Sequence, residues 1–214
     1  MMLYEQTSQS VKIEIAPLDP ERIDQAADVL ARGTLDNPIH IAVYGSDPVR
    51  RMRSLRRVFR NMMPVMSMAN HSLIAADEFG EILGVVGILA PGDCRPTSEN
   101  KSQFMQSAMI VGPDALVRMG RWLGAWQALD PAVRHWHIGP LAVDMPFQGM
   151  GIASALMQAV CEKVDVAGDA AYLETDDAGN VDFYKRFGFE VVAEQTVLGI
   201  PNWFMLRQPR ANQE

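Results

Sequence analysis

Apolar and polar residues recur along the chain at the two periods that distinguish strands from helices. Alternation of apolar and polar residues indicates a strand, because successive side chains of a strand point to opposite faces. Predicted strands cover residues 11–18, residues 72–92 as two strands around a turn at Phe79 and Gly80, residues 134–144 and 170–176, and residues 189–200 and 202–208 as an antiparallel pair.

Helices are indicated where apolar residues repeat three or four positions apart. The arginine-rich stretch 50–61 carries such an apolar stripe, made of Met52, Leu55, Phe59 and the next methionine, Met62. Gly33 is expected to end the first helix, and Gly112 with Pro113 to interrupt a later one. Predicted helices cover residues 20–33, 50–61, 99–129 as one or two helices, 151–168 and 178–188, whereas residues 34–48 are expected to form a loop or a broken helix.

The order of elements in the second half predicts a crossover connection. Strand, helix, strand, helix and strand follow one another from residue 134, so at least one pair of strands is parallel. The sequence therefore predicts an α/β fold with a mixed sheet and helices on both faces. Because no repeat and no long linker interrupts the pattern, residues 1–214 are expected to form a single domain.

The composition restricts the possible functions of the chain more than it restricts the fold. The 214 residues are 48% hydrophobic, which is enough for one sizeable core. Nineteen basic and twenty-six acidic side chains give a net charge of −7, so neither nucleic acid nor an anionic membrane is the expected partner. The chain has two cysteines, Cys94 and Cys161, which are expected to be reduced. The N-terminal stretch is polar and no long apolar run occurs, so a cytoplasmic protein is expected.

The glycine-rich stretch 148–154, "QGMGIAS", stands directly before an apolar helical pattern. The first N–H groups of a helix lack internal partners, and the helix dipole adds partial positive charge there. Gly149 and Gly151 can adopt positive φ or make room for a ligand, while Ala153 and Ser154 keep the first turn uncluttered. A phosphate cradle is one interpretation, and an ordinary tight turn from strand to helix is the other.

Two other phosphate-binding motifs fit this stretch less well. A dinucleotide-binding fingerprint would use Gly149, Gly151 and Ser154, with Glu174 as the ribose ligand. However, five residues separate the strand from the first glycine, and the chain continues into antiparallel strands instead of further crossover units. A Walker loop is excluded because no Lys-Ser or Lys-Thr closes the glycines.

Two blocks resemble the coenzyme-A-binding region of the GNAT superfamily of acyl-CoA-dependent N-acyltransferases. In "LAVDMPFQGMGIASALM" the family signature of Gln or Arg, then Gly, then Gly or Ala is matched by Gln148, Gly151 and Ala153. In "LETDDAGNVDFYKRFGFEVV" the second block is matched by Asn180, Phe183, Tyr184, Gly188 and Phe189. The resemblance covers residues 134–207 and looks closest to the puromycin N-acetyltransferase-like branch.

The resemblance implies a fold and a co-substrate. The implied fold is a GNAT-like mixed, mostly antiparallel twisted sheet with a splayed parallel central pair. Residues 134–207 would form the acyl-CoA-binding half and residues 11–133 the acceptor-side half. Acetyl-CoA is implied as co-substrate, with no metal. The implied coenzyme contacts are Leu141, Ala142, Val143, Gln148, Gly149, Met150, Gly151, Ile152, Ala153, Ser154, Asn180 and Tyr184.

Gly139 and Pro140 support the splay independently of the resemblance. Proline cannot donate to a ladder, so a central strand that contains it is expected to be bulged or interrupted. A simple edge distortion is the alternative. Leu141 and Val143 would then offer backbone groups to the pantetheine arm of the coenzyme. One of their N–H groups could polarise the thioester carbonyl.

The resemblance also implies catalytic roles. Tyr184 matches the family's usual proton donor to the thiolate, and a tyrosine pKa of about 10 keeps the proton at neutral pH. His135 and His137 share a strand face, and His137 falls where several family members keep a base. Glu174 is the rival base, and ordered water a further one. Each role has a structural alternative. Tyr184 could simply pack against the sheet, and His137 could line the cleft as a hydrogen-bonded residue. Asn180 could be the N-cap of the helix that carries Tyr184.

The acceptor is expected to bind the first half. Asp36, His40 and Tyr44 are candidates for polar contacts to an amine. The methionine-rich stretch 62–71 could mould a pocket or fill the core. The arginine-rich helix over 50–61 is expected to present a solvated charged face, with a docking surface as the alternative.

The predicted function is transfer of an acetyl group from acetyl-CoA to a primary amine, by direct attack in a ternary complex. A small-molecule acceptor is favoured, because the chain is acidic, and a monomer or homodimer is expected. A protein or peptide acceptor is the first alternative. A non-catalytic acyl-CoA-binding sensor module is the second.

Overall fold

The computed structural model describes residues 12–65, 70–93, 97–100, 102 and 109–210. Strands are formed by β1 (Ile13–Pro17), β2 (Leu73–Asp77), β3 (Ile82–Leu89), β4 (His135–Val143), β5 (Ala170–Thr175), β6 (Glu190–Val197) and β7 (Ile200–Arg207). Helices are formed by α1 (Ile23–Gly33), α2 (Pro38–Tyr44), α3 (Pro48–Val65), α4 (Pro113–Ala128), α5 (Ile152–Ala167) and α6 (Ala178–Lys185), with 3-10 turns at Pro20–Arg22, Met109–Val111 and Met145–Phe147. None of the helices in these ranges combines the length and apolar character needed to cross a membrane.

The strands of the described residues form one sheet in the order β1-β2-β3-β4-β5-β7-β6. Neighbouring strands are antiparallel except for β4 and β5, which run parallel because α5 carries the chain across between them. The mixed, mostly antiparallel sheet with a parallel central pair is confirmed. A loop or a broken helix was expected over residues 34–48. The structure has a short helix there, α2, which ends at Gly45.

The two parallel strands separate after a short ladder. Pairing joins β4 to β5 only at residues 135–137 and 170–172. On its other side, β4 carries one extra residue opposite β3, between the pairs Val86–Leu141 and Ile88–Ile138. This bulge contains Gly139 and Pro140, which are joined by a cis peptide bond. The prediction that proline disrupts this central strand is therefore confirmed.

Helices cover both faces of the sheet. On one face, α5 and α6 pack a core whose fully buried members include Leu156, Met157 and Val160. On the other face, α1 and α3 pack a second core around Leu30, Leu55 and Phe59. Burial of one such side chain contributes about 2 kcal/mol, so these two layers hold the sheet between them.

A third apolar cluster joins α2 and α4 to the β6–β7 hairpin. Its buried members are Ile39, Val43, Met119 and Val197. Trp122 and Trp126 pack against this cluster. Their two rings meet edge to face, with centroids 5.0 Å apart. The indole Nε1 of Trp126 donates to the Asn202 side chain at 2.9 Å. This cluster fixes α2 beside the end of the sheet that carries the site described below.

Helix α3 is longer than expected, and its arginines divide into two groups. Arg51 is buried and bonds the Leu35 and Gly45 carbonyls and Asp36. Arg56 and Arg60 form ion pairs with aspartates of α1. Arg50, Arg53, Arg57 and Arg60 are exposed. The expected solvated face thus holds only part of the cluster, and the rest attaches α3 to its neighbours.

Gly33 ends α1 as predicted, but close packing explains the glycine. The residue does not have positive φ, and the cap that follows is Thr34. A Cβ at Gly33 would lie 2.7 Å from the Val143 carbonyl oxygen and 2.8 Å from the Ala142 Cβ. The last turn of α1 therefore lies directly on the backbone of β4.

Replacement of Gly33 by Ala is expected to lower the free energy of unfolding by roughly 1–3 kcal/mol, because the methyl group meets backbone that cannot easily move. Urea denaturation measures this change. Gly120→Ala is the matched control: in α4 the added Cβ meets nothing within 4 Å. That substitution should instead stabilise the helix by up to about 1 kcal/mol. Equal effects at both positions would contradict the close approach of α1 to β4.

Candidate active site

The predicted cradle is a glycine-lined opening at the start of α5. Gly149 and Gly151 both have positive φ, at 78° and 84°, and Gly151 is the N-cap of α5 in the left-handed conformation. A Cβ at either glycine would meet no atom within 4 Å. The first-turn N–H groups of α5 lack intrahelical partners. The glycines therefore satisfy a backbone requirement and leave open space in front of those donors.

Two side chains hold the loop that leads from β4 to the cradle. Gln148 donates its side-chain amide to the Val143 carbonyl at 3.1 Å. Asp144 caps the 3-10 turn by accepting from the Met145 N–H at 3.0 Å. Arg32 of α1 binds both carboxylate oxygens of Asp144, at 2.9 and 2.7 Å. This hydrogen bond to Asp144 raises the pKa of Arg32, so the guanidinium stays charged.

Beside the cradle, β4 has an open backbone edge. Leu141, Ala142 and Val143 pair with β3 on one side. The ladder to β5 ends at His137 and Tyr172, so these three residues are not paired with β5. Apart from the Val143 carbonyl, which accepts from Gln148, the main-chain groups on that edge can bind a ligand that lies along the strand.

On the face of the sheet opposite α5, two histidines meet two carboxylates. His135 Nε2 lies 3.2 Å from Asp130 Oδ1, and His137 Nε2 lies 3.0 Å from Glu174 Oε2. The two imidazole centroids are 6.2 Å apart, which confirms that they share a strand face. Tyr172 packs against both rings and donates its hydroxyl to the Leu129 carbonyl at 3.2 Å. The His137 side chain is 21% exposed and that of Glu174 only 3%.

Tyr184 lies in α6, in the core between the helix and the sheet. Its ring contacts Phe183 and Phe189, at centroid distances of 5.1 and 6.0 Å. Burial, with a further contribution from the Asp176 carboxylate, raises the pKa of Tyr184 well above its usual value. The phenol therefore keeps its proton across the neutral range, as a proton donor must.

A family model described as "Acetyltransferase (GNAT) family" matches residues 41–189, which is more than half of the chain. The chain belongs to the GNAT acetyltransferase family. The match includes the open edge of β4, the cradle and Tyr184. It ends at Phe189, the last of the residues that match the family in the second sequence block.

Solved structures share this GNAT fold at low sequence identity. A protein described as histone acetyltransferase HPA2 and related acetyltransferase, from Corynebacterium glutamicum, is 20% identical, with a TM-score of 0.68 over 94% of this chain and 99% of that one. A polyamine N-acetyltransferase from Drosophila melanogaster is 13% identical, with a TM-score of 0.62 over 92% and 100%. A GNAT acetyltransferase from Brucella melitensis, in complex with acetyl-CoA, is 15% identical, with a TM-score of 0.50 over 95% and 92%.

In this GNAT chain, Asp177 is the N-cap of α6, and Asn180 is not. The Asp177 carboxylate accepts from the Gly179 N–H at 2.8 Å. Asn180 lies inside the first turn and donates its amide to Thr175 Oγ1 at 3.4 Å. The N-cap alternative for Asn180 is therefore wrong, because the aspartate three residues earlier already fills that position. A coenzyme contact for Asn180 stays a prediction.

Three acidic groups near the site were not among the residues predicted from the sequence. Asp144 follows β4, Asp176 follows β5, and Asp130 precedes β4 by a few residues. Asp176 is buried and accepts from the Ile39 N–H at 2.6 Å. The one available signal was an aspartate directly after each of the two central strands, in "LAVD" and "LETD". Their partners, Arg32 and Ile39, lie more than a hundred residues away in sequence.

Asp130, His135 and His137 could hold a metal ion, since one ligand atom from each lies within 4.8 Å of the others. Hydrogen bonds at the outer nitrogens would orient both rings, because His135 Nδ1 lies 2.8 Å from the Val133 carbonyl and His137 Nε2 faces Glu174. The same arrangement is also compatible with proton transfer without a metal. The prediction of a site that uses no metal stays a prediction.

The candidate acceptor residues of the first half make internal contacts. Asp36 pairs with Arg51 at 2.8 Å, although its side chain is 71% exposed. His40 Nδ1 lies 2.7 Å from the Thr34 carbonyl, and the Tyr44 hydroxyl lies 3.6 Å from Met119 Sδ. In the methionine-rich stretch, Met63 is fully buried and Met62 partly buried, whereas Met66 and Met68 lie outside the described residues.

The pH dependence of stability should report the burial of His40. Burial lowers the pKa of His40, so below about pH 6.5 the unfolded chain binds a proton that the folded protein excludes. Stability is then present above that pH and is lost as the pH falls. We expect the free energy of unfolding to fall from about pH 7 to 5 more steeply in the wild type than in His40→Gln, by up to about 1.4 kcal/mol per pH unit.

Urea denaturation at a series of pH values measures both slopes. Glutamine can still donate to the Thr34 carbonyl, so the variant keeps the hydrogen bond and loses only the titration. His71, whose pKa burial also lowers, is common to both proteins and cancels in the comparison. Parallel slopes would contradict a neutral, buried His40.

Proposed function

We propose that this GNAT chain transfers an acetyl group from acetyl-CoA to a primary amine of a small molecule. The observation that carries the proposal is the open edge of β4 directly beside the glycine-lined start of α5. A coenzyme with an extended amide-bearing arm and a pyrophosphate needs these two features side by side. The acetyl-CoA complex of the Brucella melitensis structure supports the same co-substrate.

In the proposed complex the coenzyme spans the two features. Its pantetheine arm lies along residues 141–143 as an added strand, and its pyrophosphate accepts hydrogen bonds from the N–H groups of residues 149–154. Gln148 keeps the loop against β4, since it bonds the Val143 carbonyl. Asn180 approaches the arm from α6. Positive φ at both glycines and the open space beside them support this placement.

The amine nitrogen attacks the thioester carbonyl carbon, and the carbon–sulfur bond breaks after the tetrahedral intermediate. A main-chain N–H of Leu141 or Val143 stabilises the oxyanion. The departing thiolate takes a proton from the Tyr184 hydroxyl. Tyr184 suits this role because its raised pKa keeps the proton available. The amine donates its proton to a base on the other side of the sheet.

We propose that the base is the pair formed by His137 and Glu174, reached directly or through water. The two groups share a short contact of 3.0 Å, so a proton that enters the pair is stabilised by both. His137 is the more exposed member and faces the acceptor side, which favours it as the first to receive the proton. Glu174 orients the ring and offsets the charge.

The acceptor is proposed to be a small cationic amine, as in the puromycin N-acetyltransferase-like branch. The net charge of −7 and the carboxylates of Asp130, Glu174 and Asp176 near the parted strands support a cation. The Drosophila melanogaster neighbour, which acts on polyamines, supports a small acceptor.

The histone acetyltransferase neighbour and the exposed arginines of α3 favour a protein acceptor instead, as a second candidate. A panel of small amines and lysine peptides, followed by mass spectrometry, separates the two. Peptide acetylation alone would establish the protein acceptor, and coenzyme binding without turnover would indicate a sensor module.

Coenzyme A should stabilise the wild type by about 2.7 kcal/mol at a hundred times its dissociation constant, whereas NADH should not. We expect Gly151→Ala to weaken coenzyme A binding about tenfold, because the added Cβ enters the space in which the pyrophosphate would lie. Calorimetric titration measures the affinity.

Gly168→Ala is the matched control for the cradle. Gly168 has the same left-handed conformation, at φ 69°, and the same open surroundings, but it lies at the other end of α5. Its substitution should destabilise the fold by a similar amount and leave coenzyme affinity unchanged. If both variants bind coenzyme A like the wild type, the cradle does not contact the coenzyme.

Tyr184→Phe is expected to lower kcat about a hundredfold, because the thiolate then leaves without a positioned proton donor. Its affinity for coenzyme A should stay within about twofold of the wild type, since only the hydroxyl is removed. Glu174→Gln should instead lower kcat/KM and move the acidic limb of its pH profile, because that limb reports the base and Glu174 supports His137 in that role. Wild-type turnover by Tyr184→Phe would exclude the donor role, and an unchanged acidic limb in Glu174→Gln would exclude a base formed by His137 and Glu174 together.

A further inference from the structure

The two parted strands end in aspartates, and both aspartates bind the same short segment of the first half. Asp144 follows β4 and Asp176 follows β5. Asp144 binds Arg32, and Asp176 binds the N–H of Ile39. The segment between these two residues, 32–39, is here called the strap. It runs from the last turn of α1 to the first turn of α2.

The β4 end of the strap is held by charge and by close packing. Arg32 makes two hydrogen bonds to Asp144, at 2.9 and 2.7 Å, with side chains 34% and 15% exposed. A two-pronged guanidinium–carboxylate contact fixes orientation as well as distance. Gly33, the next residue, brings the backbone against the Val143 carbonyl. The strap therefore touches β4 at the residues that face the gap.

The β5 end of the strap is held by a cap supplied from another part of the chain. Asn37 is the N-cap of α2, but its own side chain makes no capping bond. The buried Asp176 carboxylate accepts from the Ile39 N–H at 2.6 Å instead. Capping bonds of this kind stabilise the start of a helix. The start of α2 is thus attached to the end of β5.

The middle of the strap is itself held in place. The buried Thr34 hydroxyl donates to the Leu30 carbonyl at 2.7 Å, and the Thr34 carbonyl accepts from His40. Arg51 donates from Nε to the Leu35 carbonyl at 2.6 Å. A segment anchored in this way transmits the position of one end to the other.

We propose that the strap sets the distance between the parted ends of β4 and β5, and so the fit of the coenzyme arm between them. Arg32, Asp144 and Asp176 act as positioning residues, because none of them needs to touch the coenzyme. The inference rests on the coenzyme site proposed above. It adds a part of the first half, outside both sequence blocks, to the determinants of coenzyme affinity.

The ladder alone does not fix this distance. Pairing between β4 and β5 ends at His137 and Tyr172, so beyond these residues no mutual hydrogen bonds hold the two strands. The strap connects the two ends past that point, on the face that carries α1. Asp176 also lies close enough to Tyr184 to influence its phenol, which connects the strap to the proposed donor.

The test compares two ion pairs in which a guanidinium binds both oxygens of a carboxylate. Arg32→Ala removes the strap contact. Arg207→Ala removes a second two-pronged pair, with Asp165 at 2.7 Å for both bonds, which lies away from the parted strands. Calorimetry with coenzyme A gives the dissociation constant, and thermal unfolding gives the stability. Arg32→Ala should raise the dissociation constant about tenfold, whereas Arg207→Ala should lower the melting temperature and leave the dissociation constant within about twofold.

The β5 end is tested by a conservative pair of variants. Asp176→Asn keeps an oxygen that can accept from the Ile39 N–H, and Asp176→Ala does not. Coenzyme A should bind Asp176→Asn within about twofold of the wild type and bind Asp176→Ala about tenfold more weakly. Because Asp176→Ala could fail to fold, Arg32→Ala, whose side chain is partly exposed, is the decisive variant.

The outcomes separate the strap from the function on which it rests. Wild-type affinity in Arg32→Ala, or equal weakening in Arg32→Ala and Arg207→Ala, would overturn the strap while the coenzyme site stands. A wild-type protein that binds no coenzyme A would overturn the proposed function, and the strap with it.

Discussion

A proline in the middle of a central strand is the constraint on which the site depends. Pro140 has no N–H to give to a ladder, and Gly139 before it has φ of 143°, so β4 bulges at this point. Beyond the bulge, β4 keeps its pairing with β3 and loses β5. The open edge, the loop and the glycine-capped start of α5 all follow from this break.

The gap also changes what a sheet can do. A continuous sheet separates the groups on its two faces, because side chains alternate and the backbone is fully paired. Here Tyr184 lies among the helices on one face, and His137 with Glu174 on the other. In the proposed reaction, thioester and amine meet where the strands part. The sheet, the two cores that cover its faces and the strap hold the parted ends of β4 and β5 in position.

Local rules predicted much of the site, and long-range contacts were beyond them. The bulge at Pro140 and the positive φ of Gly149 and Gly151 follow from the chemistry of one or two residues. The order of strands and helices followed from periodicity. Gly33 could be predicted only as a helix end, because the carbonyl it approaches belongs to a strand far away in sequence. The cap alternative for Asn180 rested on residue type alone, whereas Asp177, three residues earlier, fills that position.

The early end of the parallel ladder has a consequence for the motions of the protein. Backbone amides protected by a ladder exchange with solvent only when the structure opens, whereas amides on an unpaired edge exchange readily. The amides of residues 138–143 that face β5 are therefore a natural reporter of occupancy. Hydrogen exchange of these amides should slow when a ligand binds along the unpaired edge. The exchange of residues 135–137, which are paired with β5, should stay unchanged. The break in the sheet thus marks, amide by amide, the boundary between the scaffold and the part that responds to ligand.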